Sequence, residues 1–305
     1  MWPSASHPIE TEIFTRMPDK LRRKTRTSWA DANFAGQPAD CFLEGPSFDT
    51  AGNLWVTDIP HGRIFRISSD GEWTQVAEYD GWPNGLKIHR DGRVFITDYK
   101  RGIVTLDPAS GKVTPHLETR HSEGFKGVND LCFAENGDLY FTDQGQTGLH
   151  DPTGRVYRLT AGGRLELLAA TVPSPNGIVL NLPETQVYVA VTRGNAVWRM
   201  PLMGDGSPSK VGLYIQMSGG LGGPDGLALD SEGGLIVCHI GTTLWRFDRL
   251  GRPTHHLVME EGLSPTNCAF GGPENGWLYV TESRTGTILR AEMPYPGKPM
   301  FSHAR

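Results

Sequence analysis

One motif occurs six times along this chain, and its repetition restricts the possible folds more than any other feature. The segments "EGPSFDTAGNLWVTD" from Glu44, "NGLKIHRDGRVFITD" from Asn84, "NDLCFAENGDLYFTD" from Asn129, "NGIVLNLPETQVYVAV" from Asn176, "DGLALDSEGGLIVCH" from Asp225 and "NCAFGGPENGWLYVTE" from Asn267 align in one register. The first apolar residue of the second run in each is Leu54, Val94, Leu139, Val187, Leu235 and Leu278, spaced by 40, 45, 48, 48 and 43 residues. Each unit reads as a short strand, a turn rich in Gly, Asp, Asn or Glu, and a second strand such as "LWVTD". A third strand follows, as in "GRIFRIS" or "NAVWRMP", and in places a weaker fourth such as "WTQVAEY". β-branched and aromatic residues alternating between turn-formers predict strands. Four strands recurring every 40 to 50 residues or so predict a β-propeller. The expected fold is all-β: a six-bladed propeller of four-stranded blades around a central, metal-containing channel, spanning residues 41–305.

A ring of blades must not leave a sheet edge open. The segment "IETEIFTR", Ile9 to Arg16, alternates outside the repeats and is expected to form the outer strand of the last blade. It lies in an N-terminal arm and linker covering residues 1–40. Residues 17–40 then lead back to blade one, with the basic run Lys20 to Arg26 read as solvated.

Composition narrows the function classes. A net charge of -5 over 305 residues leaves no basic face for nucleic acid. No apolar run reaches the length that spans a membrane as a helix, and the N-terminus has no apolar core followed by a small-residue cleavage site. Cys41, Cys132, Cys238 and Cys268 form no C-x-x-C pair, and three lie in apolar strand patterns where a free thiol packs as a small hydrophobe. The expectation is a cytoplasmic protein acting on a small molecule, with no nucleic-acid or membrane partner, as a monomer or weak homo-oligomer.

Glu44, Asn84, Asn129 and Asp225 each stand 10 residues before their anchor, and Asn176 and Asn267 stand 11 before theirs. One structural position therefore carries Glu, Asn, Asn, Asn, Asp, Asn around the ring. The first strand of a propeller blade lines the channel, so these six side chains are expected to converge at one mouth. Carboxylate and amide oxygens without Cys or His suit a hard divalent cation, Ca²⁺ first, with Mg²⁺, Mn²⁺ or Zn²⁺ as alternatives. The competing reading is a hydrogen-bonded polar plug. Asp58, Asp98, Asp143, His239 and Glu282 end the returning second strands near the same rim. "TD" reads as a strand end at Asp58 and Asp98, whereas Asp143 and His239 are candidates to orient the ring or touch substrate.

The motifs "LEGPSFD", "GVNDLCFAENGDLYFTD", "SPNGIVL" and "GPDGLALD" resemble those of the senescence-marker-protein / gluconolactonase / luciferin-regenerating-enzyme family, related to diisopropylfluorophosphatase. The resemblance covers about residues 40–293. It implies a six-bladed propeller with one catalytic divalent metal, usually calcium, held by Glu44, Asn176 and Asp225, with Asn129 contacting metal or substrate. Sugar lactonases of the family often carry an Arg two residues before the "ND" pair. Here that position is Gly127 beside Lys126, which points to a smaller or less hydroxylated ring than a sugar lactone.

The leading functional expectation is metal-dependent lactone hydrolysis, with Asp225 as first choice of base, His239 as second, and Asn129 assisting. Lys126, Asn84, Asn267, Asn129 and Asp143 are the substrate-binding candidates. No G-x-S-x-G nucleophile elbow is present. Two alternatives are a phosphotriesterase or organofluorophosphatase, and a non-enzymatic ligand-binding propeller, which an apolar channel mouth would suit. Specificity is expected in the loops at Phe125, Lys126, Gln144 to His150 and Met217 to Gly222.

Overall fold

Each repeat opens on a strand that is almost wholly buried: Leu43–Phe48, Pro83–Ile88, Val128–Phe133, Pro175–Leu180, Gly223–Leu229 and Pro265–Gly271. In the computed structural model, which describes residues 6–303, each of these inner strands touches the inner strands of both neighbouring blades, and the sixth touches the first. Residues 1–5 of the N-terminal arm and 304–305 of the propeller region lie outside the described residues. Three further antiparallel strands extend outward in blades one to four; in blade one they are Leu54–Asp58, Arg63–Ile67 and Trp73–Glu78. The result is a six-bladed β-propeller with one short α-helix among the described residues.

The core lies between blades. Trp55 and Ile64 of blade one pack with Leu86, Val94 and Ile96 of blade two. Phe48 and Phe65 of blade one pack with Ala269, Tyr279 and Ile288 of blade six. Alternation along each strand feeds one face to each neighbour, so every sheet is covered on both sides. Turn chemistry sets the first hairpins. Asp49 accepts from the backbone N–H groups of Ala51 and Asn53, and Asp230 from those of Glu232 and Gly234, the local bonding that makes Asp a turn-former.

The N-terminal arm divides between two blades. Glu12–Arg16 pairs antiparallel with Thr287–Glu292 as the outer strand of blade six. Ile9 and Glu10 do not join it: His7–Glu10 pairs parallel with Pro253–Val258 and gives blade five a fifth strand. Thr11 is the crossing point. It is buried, its hydroxyl donates to the Val258 carbonyl at 3.0 Å, and it accepts from the Glu260 N–H at 2.8 Å.

The connection back to blade one is built rather than merely solvated. Arg22 pairs with Asp40 at 3.0 Å, Arg23 with Glu78 at 2.6 Å, and Arg26 with Asp31. The helix Ser28–Asn33 starts at Thr27, whose side chain accepts from the Ala30 N–H. At the other terminus, Lys298 donates its backbone N–H to the Leu229 carbonyl, and Phe301 stacks on Phe133 at 4.8 Å.

Removing residues 1–16 strips the outer strand from blade six and one edge from blade five. We expect the melting temperature to fall by at least about 5 °C, because roughly 2 kcal/mol shifts a domain this large by several degrees. Differential scanning calorimetry of the truncated chain checks this, and an unchanged transition would make the arm dispensable to the sheets.

Candidate metal and substrate site

Every inner strand is bulged at the ring position. Its pairing with the second strand slips between Glu44 and Ser47, Pro83 and Leu86, Val128 and Leu131, Pro175 and Ile178, Pro224 and Leu227, and Pro265 and Asn267. A bulge re-aims side chains, and here it turns the ring residues to the channel. Five of them, Glu44, Asn84, Asn129, Asn176 and Asp225, line one cavity of about 420 Å³, within the usual range for a small-molecule site. The sixth, Asn267, is outside the lining. Its Nδ2 donates to Glu44 Oε2 at 2.9 Å, and the Gly45 N–H donates to the same oxygen at 2.8 Å. Both donors thus occupy Oε2 and leave Oε1 for the cavity.

Asn129 is oriented in the same manner. Its Nδ2 donates to Gln144 Oε1 at 3.0 Å, and Gln144 in turn donates to the Ser174 hydroxyl at 3.0 Å. That fixes which way the amide faces and leaves its carbonyl oxygen for the cavity. The Asn176 side chain lies close enough to Asp225 to hold its pKa down against the burial. Threonines of the second strands hold the ring backbone: Thr57 donates to the Asn84 carbonyl at 2.7 Å and Thr142 to that of Asn176 at 2.8 Å.

The acids are held against their charge. Burial pushes Glu44 up to about 7, partly offset by the Gly45 N–H and the Asn267 amide. Burial also raises Asp225 well above the ordinary carboxylate range, and the charges of Glu44 and Asp130 raise it further. Asp130 is the residue that sequence reading missed. It is buried next to Asn129, raised by burial, and supported by Lys87 and Asn267. The "ND" pair, where the other ring positions mostly read N-G or D-G, was the signal that could have revealed it.

Mutually repelling, desolvated carboxylates are the environment that a divalent cation would relieve. Among the described residues, no three His, Cys, Asp or Glu side chains form a ready-made metal-binding group. A cation here would need amide oxygens to complete its shell, and Asn176 and Asn129 provide them. The donor set is all oxygen and fits a hard cation.

The rim candidates lie elsewhere. Asp143 Oδ1 accepts from the Gly127 N–H at 2.8 Å, as Asp58 does from Phe42 and Glu282 from Ser264. These acids hold the backbone that leads into each ring residue, and Asp143 does not line the cavity. His239 is turned away from it: Nε2 bonds Asn195 Oδ1 at 2.9 Å and Nδ1 the Thr242 hydroxyl at 2.8 Å. Lys126 is exposed and donates to the Thr153 hydroxyl at 2.6 Å. Of the expected loops, Gln144 to Thr147, His150 and Gly222 do line the cavity, joined by Arg193, which lies near enough to Asp225 to lower its pKa.

Residues 42–284 match the sequence profile of the SMP-30/Gluconolactonase/LRE-like region. A gluconolactonase of Zymomonas mobilis is 30% identical over 78% of this chain and 71% of its own length. Lactonase drp35 of Staphylococcus aureus is 28% identical over 79% of this chain and 75% of its own. A calcium-binding protein, regucalcin from Agrobacterium tumefaciens, superposes with a TM-score of 0.79 at 22% identity, over 99% of this chain and 100% of that one.

Asn267→Ala removes a donor to Glu44 without touching the cavity lining. We expect Ca²⁺ affinity to fall by about 10- to 100-fold, the usual effect of losing a group that orients a ligand. Calorimetric titration measures it; unchanged affinity would show that Glu44 needs no such support.

Proposed function

The chain belongs to the SMP-30/gluconolactonase/LRE-like family, and from that premise we propose that it is a metal-dependent hydrolase that opens a lactone ring. The observation that carries this reading is the convergence of Glu44, Asn84, Asn129, Asn176 and Asp225 in one cavity, with both acids desolvated. Glu44, Asn176 and Asp225 would hold the cation, with Asn129 beside it, and Ca²⁺ suits the all-oxygen set best. When bound, it supplies Lewis-acid polarisation of the ester carbonyl.

The chain's own groups do the rest. Asp225 is assigned as the base, because Glu44 Oε2 is already committed to Asn267 and Gly45. Water adds through its oxygen to the carbonyl carbon and gives one proton to the Asp225 carboxylate. The ring C–O bond breaks, and the departing ring oxygen takes that proton, leaving an open-chain hydroxy acid. Asn129, fixed by Gln144, positions the ester. His239 has no part in this scheme, since both its ring nitrogens are engaged away from the cavity.

One side of the mouth is aromatic, a feature that also suits a non-enzymatic binder; turnover separates the two. Chelation should abolish lactone hydrolysis, and added Ca²⁺ should restore it. Asp225→Asn keeps an oxygen ligand but loses the basic carboxylate. At saturating Ca²⁺ we expect kcat to drop by about 10² to 10⁴, while His239→Ala stays near wild type. Steady-state assays on a lactone panel check both. A fully active Asp225→Asn would remove the base assignment, and a wild-type protein that binds Ca²⁺ yet hydrolyses no lactone would remove the reading.

A further inference from the structure

The cavity has two unlike sides. Its polar lining comes mainly from blades three to five: Gln144, Gln146 and His150, then Ser174, Thr192 and Arg193. Its blade-one and blade-two side is lined above the ring by Trp29, Phe34, Phe42, Ile59, Trp82 and Tyr99, with Asn33 beside them. These six form one contiguous wall. Trp29 and Ile59 are buried, with Phe34, Phe42 and Trp82 packed on them. The ring centres of Trp29 and Phe42 are 4.9 Å apart, and those of Trp82 and Tyr99 are 5.7 Å apart.

Local backbone chemistry fixes where the rings go. Phe42 and Trp82 each stand two residues before a ring residue, Glu44 and Asn84, and their positions are held by Asp58 and Asp98. Tyr99 is fastened by its N–H to the Trp82 carbonyl at 3.0 Å, and its hydroxyl accepts from Gln146 at 3.2 Å. The Tyr99 ring also fills the space where a side chain at position 127 would begin. A Cβ on Gly127 would stand 2.5 Å from the ring carbons, and Gly127 has a φ of 150°. The aromatic surface is therefore built in, and no polar group can be supplied from that position.

Resting on the lactonase reading, we propose that the site selects lactones bearing a flat aryl or alkyl body, which lies against Trp82, Tyr99, Phe42 and Trp29 while the ester faces the acids and amides. A polyhydroxylated ring placed there would lose water from more hydroxyls than the few polar groups of the wall, such as Asn33 and the Tyr99 hydroxyl, can pair, and unpaired buried polar groups are costly. An aryl or alkyl body instead removes apolar surface from water on both partners.

The test uses the full chain with saturating Ca²⁺. The probes are γ-phenyl-γ-butyrolactone, unsubstituted γ-butyrolactone and glucono-1,5-lactone. The first two share an alkoxide leaving group, so their ratio reads recognition of the phenyl body. We expect kcat/KM for the phenyl lactone to exceed that for the unsubstituted one by about 10- to 100-fold, and to exceed that for the glucono-lactone. Trp82→Ala should reduce the phenyl-to-unsubstituted ratio at least about 10-fold, with Trp82→Phe restoring part of it. Tyr99→Leu is the second variant, should Trp82→Ala fail to fold. Preference for the glucono-lactone, or a ratio unchanged in both variants, overturns the inference and leaves the lactonase reading standing. No turnover of any probe overturns the lactonase reading itself, and the inference with it.

Discussion

Around the channel, the inner strands of neighbouring blades run so close that four of the ring residues must be followed by glycine. A Cβ on Gly45 would stand 2.4 Å from the Asn84 carbonyl oxygen, and one on Gly177 2.4 Å from that of Asp225. On Gly85 it would meet Asp130 Oδ1 at 2.6 Å, and on Gly226 the Asn267 side chain at 2.3 Å. Real Cβ atoms are not found at such distances, so close approach of the neighbouring strand requires these glycines, and at Gly45 a φ of 56° requires it as well. The same approach lets Thr57 and Thr142 reach across to the ring carbonyls of the next blade. Placing five ring side chains around one cavity follows from that spacing together with the bulge in each inner strand.

Crowding of this kind has an electrostatic consequence. It brings Glu44, Asp130 and Asp225 into a buried space where Glu44 and Asp130 raise the proton affinity of Asp225, and Asp130 raises that of Glu44. Buried like charges are expensive unless something positive joins them. Lys87 acts on Glu44 and Asp130, and Arg193 on Asp225. Neither pairs with these acids as a salt bridge, and donors gather on Glu44 Oε2 while Oε1 has none; this is the charge balance that the proposed cation would complete.

The repeat made the propeller legible, because strand periodicity and turn chemistry are local properties that tertiary packing then reinforces. The ring was legible as a register: five of the six positions line one cavity. What the register could not show was the direction of each side chain. Asn267 shares the position yet turns to support Glu44, and Asp130, at the adjacent position and outside the cavity lining, acts on Glu44 and Asp225 through its charge. His239 ends its strand as Asp143 does, but only the structure shows its ring committed to Asn195 and Thr242. The N-terminal arm was legible as a strand with a closing role; its division at Thr11 depends on contacts to Val258 and Glu260, nearly 250 residues away in sequence.

The two ends of the channel are distinguished by the parts of the chain that do not repeat. At the far end, the segment after the last strand runs across the inner strands. Gly297 bridges Asp230, Lys298 pairs with Glu184 at 2.9 Å, and the Arg90 guanidinium lies 4.1 Å over the Phe301 ring. A small cavity of about 120 Å³ beneath it is lined by residues that include Cys132, Leu180, Cys268 and Phe270. At the near end, the helix Ser28–Asn33 and the residues before blade one cover part of the mouth with aromatic rings. Six similar blades would make a channel alike at all azimuths and open at both ends. The C-terminal segment covers one end, and the N-terminal segment adds Trp29 and Phe34 to one side of the other, so the near mouth is aromatic on one side and polar on the opposite one. The ring residues belong to the repeat, as do Trp82 and Tyr99 of the wall, whereas Trp29 and Phe34 come from a segment that a repeat-based reading assigns to a linker.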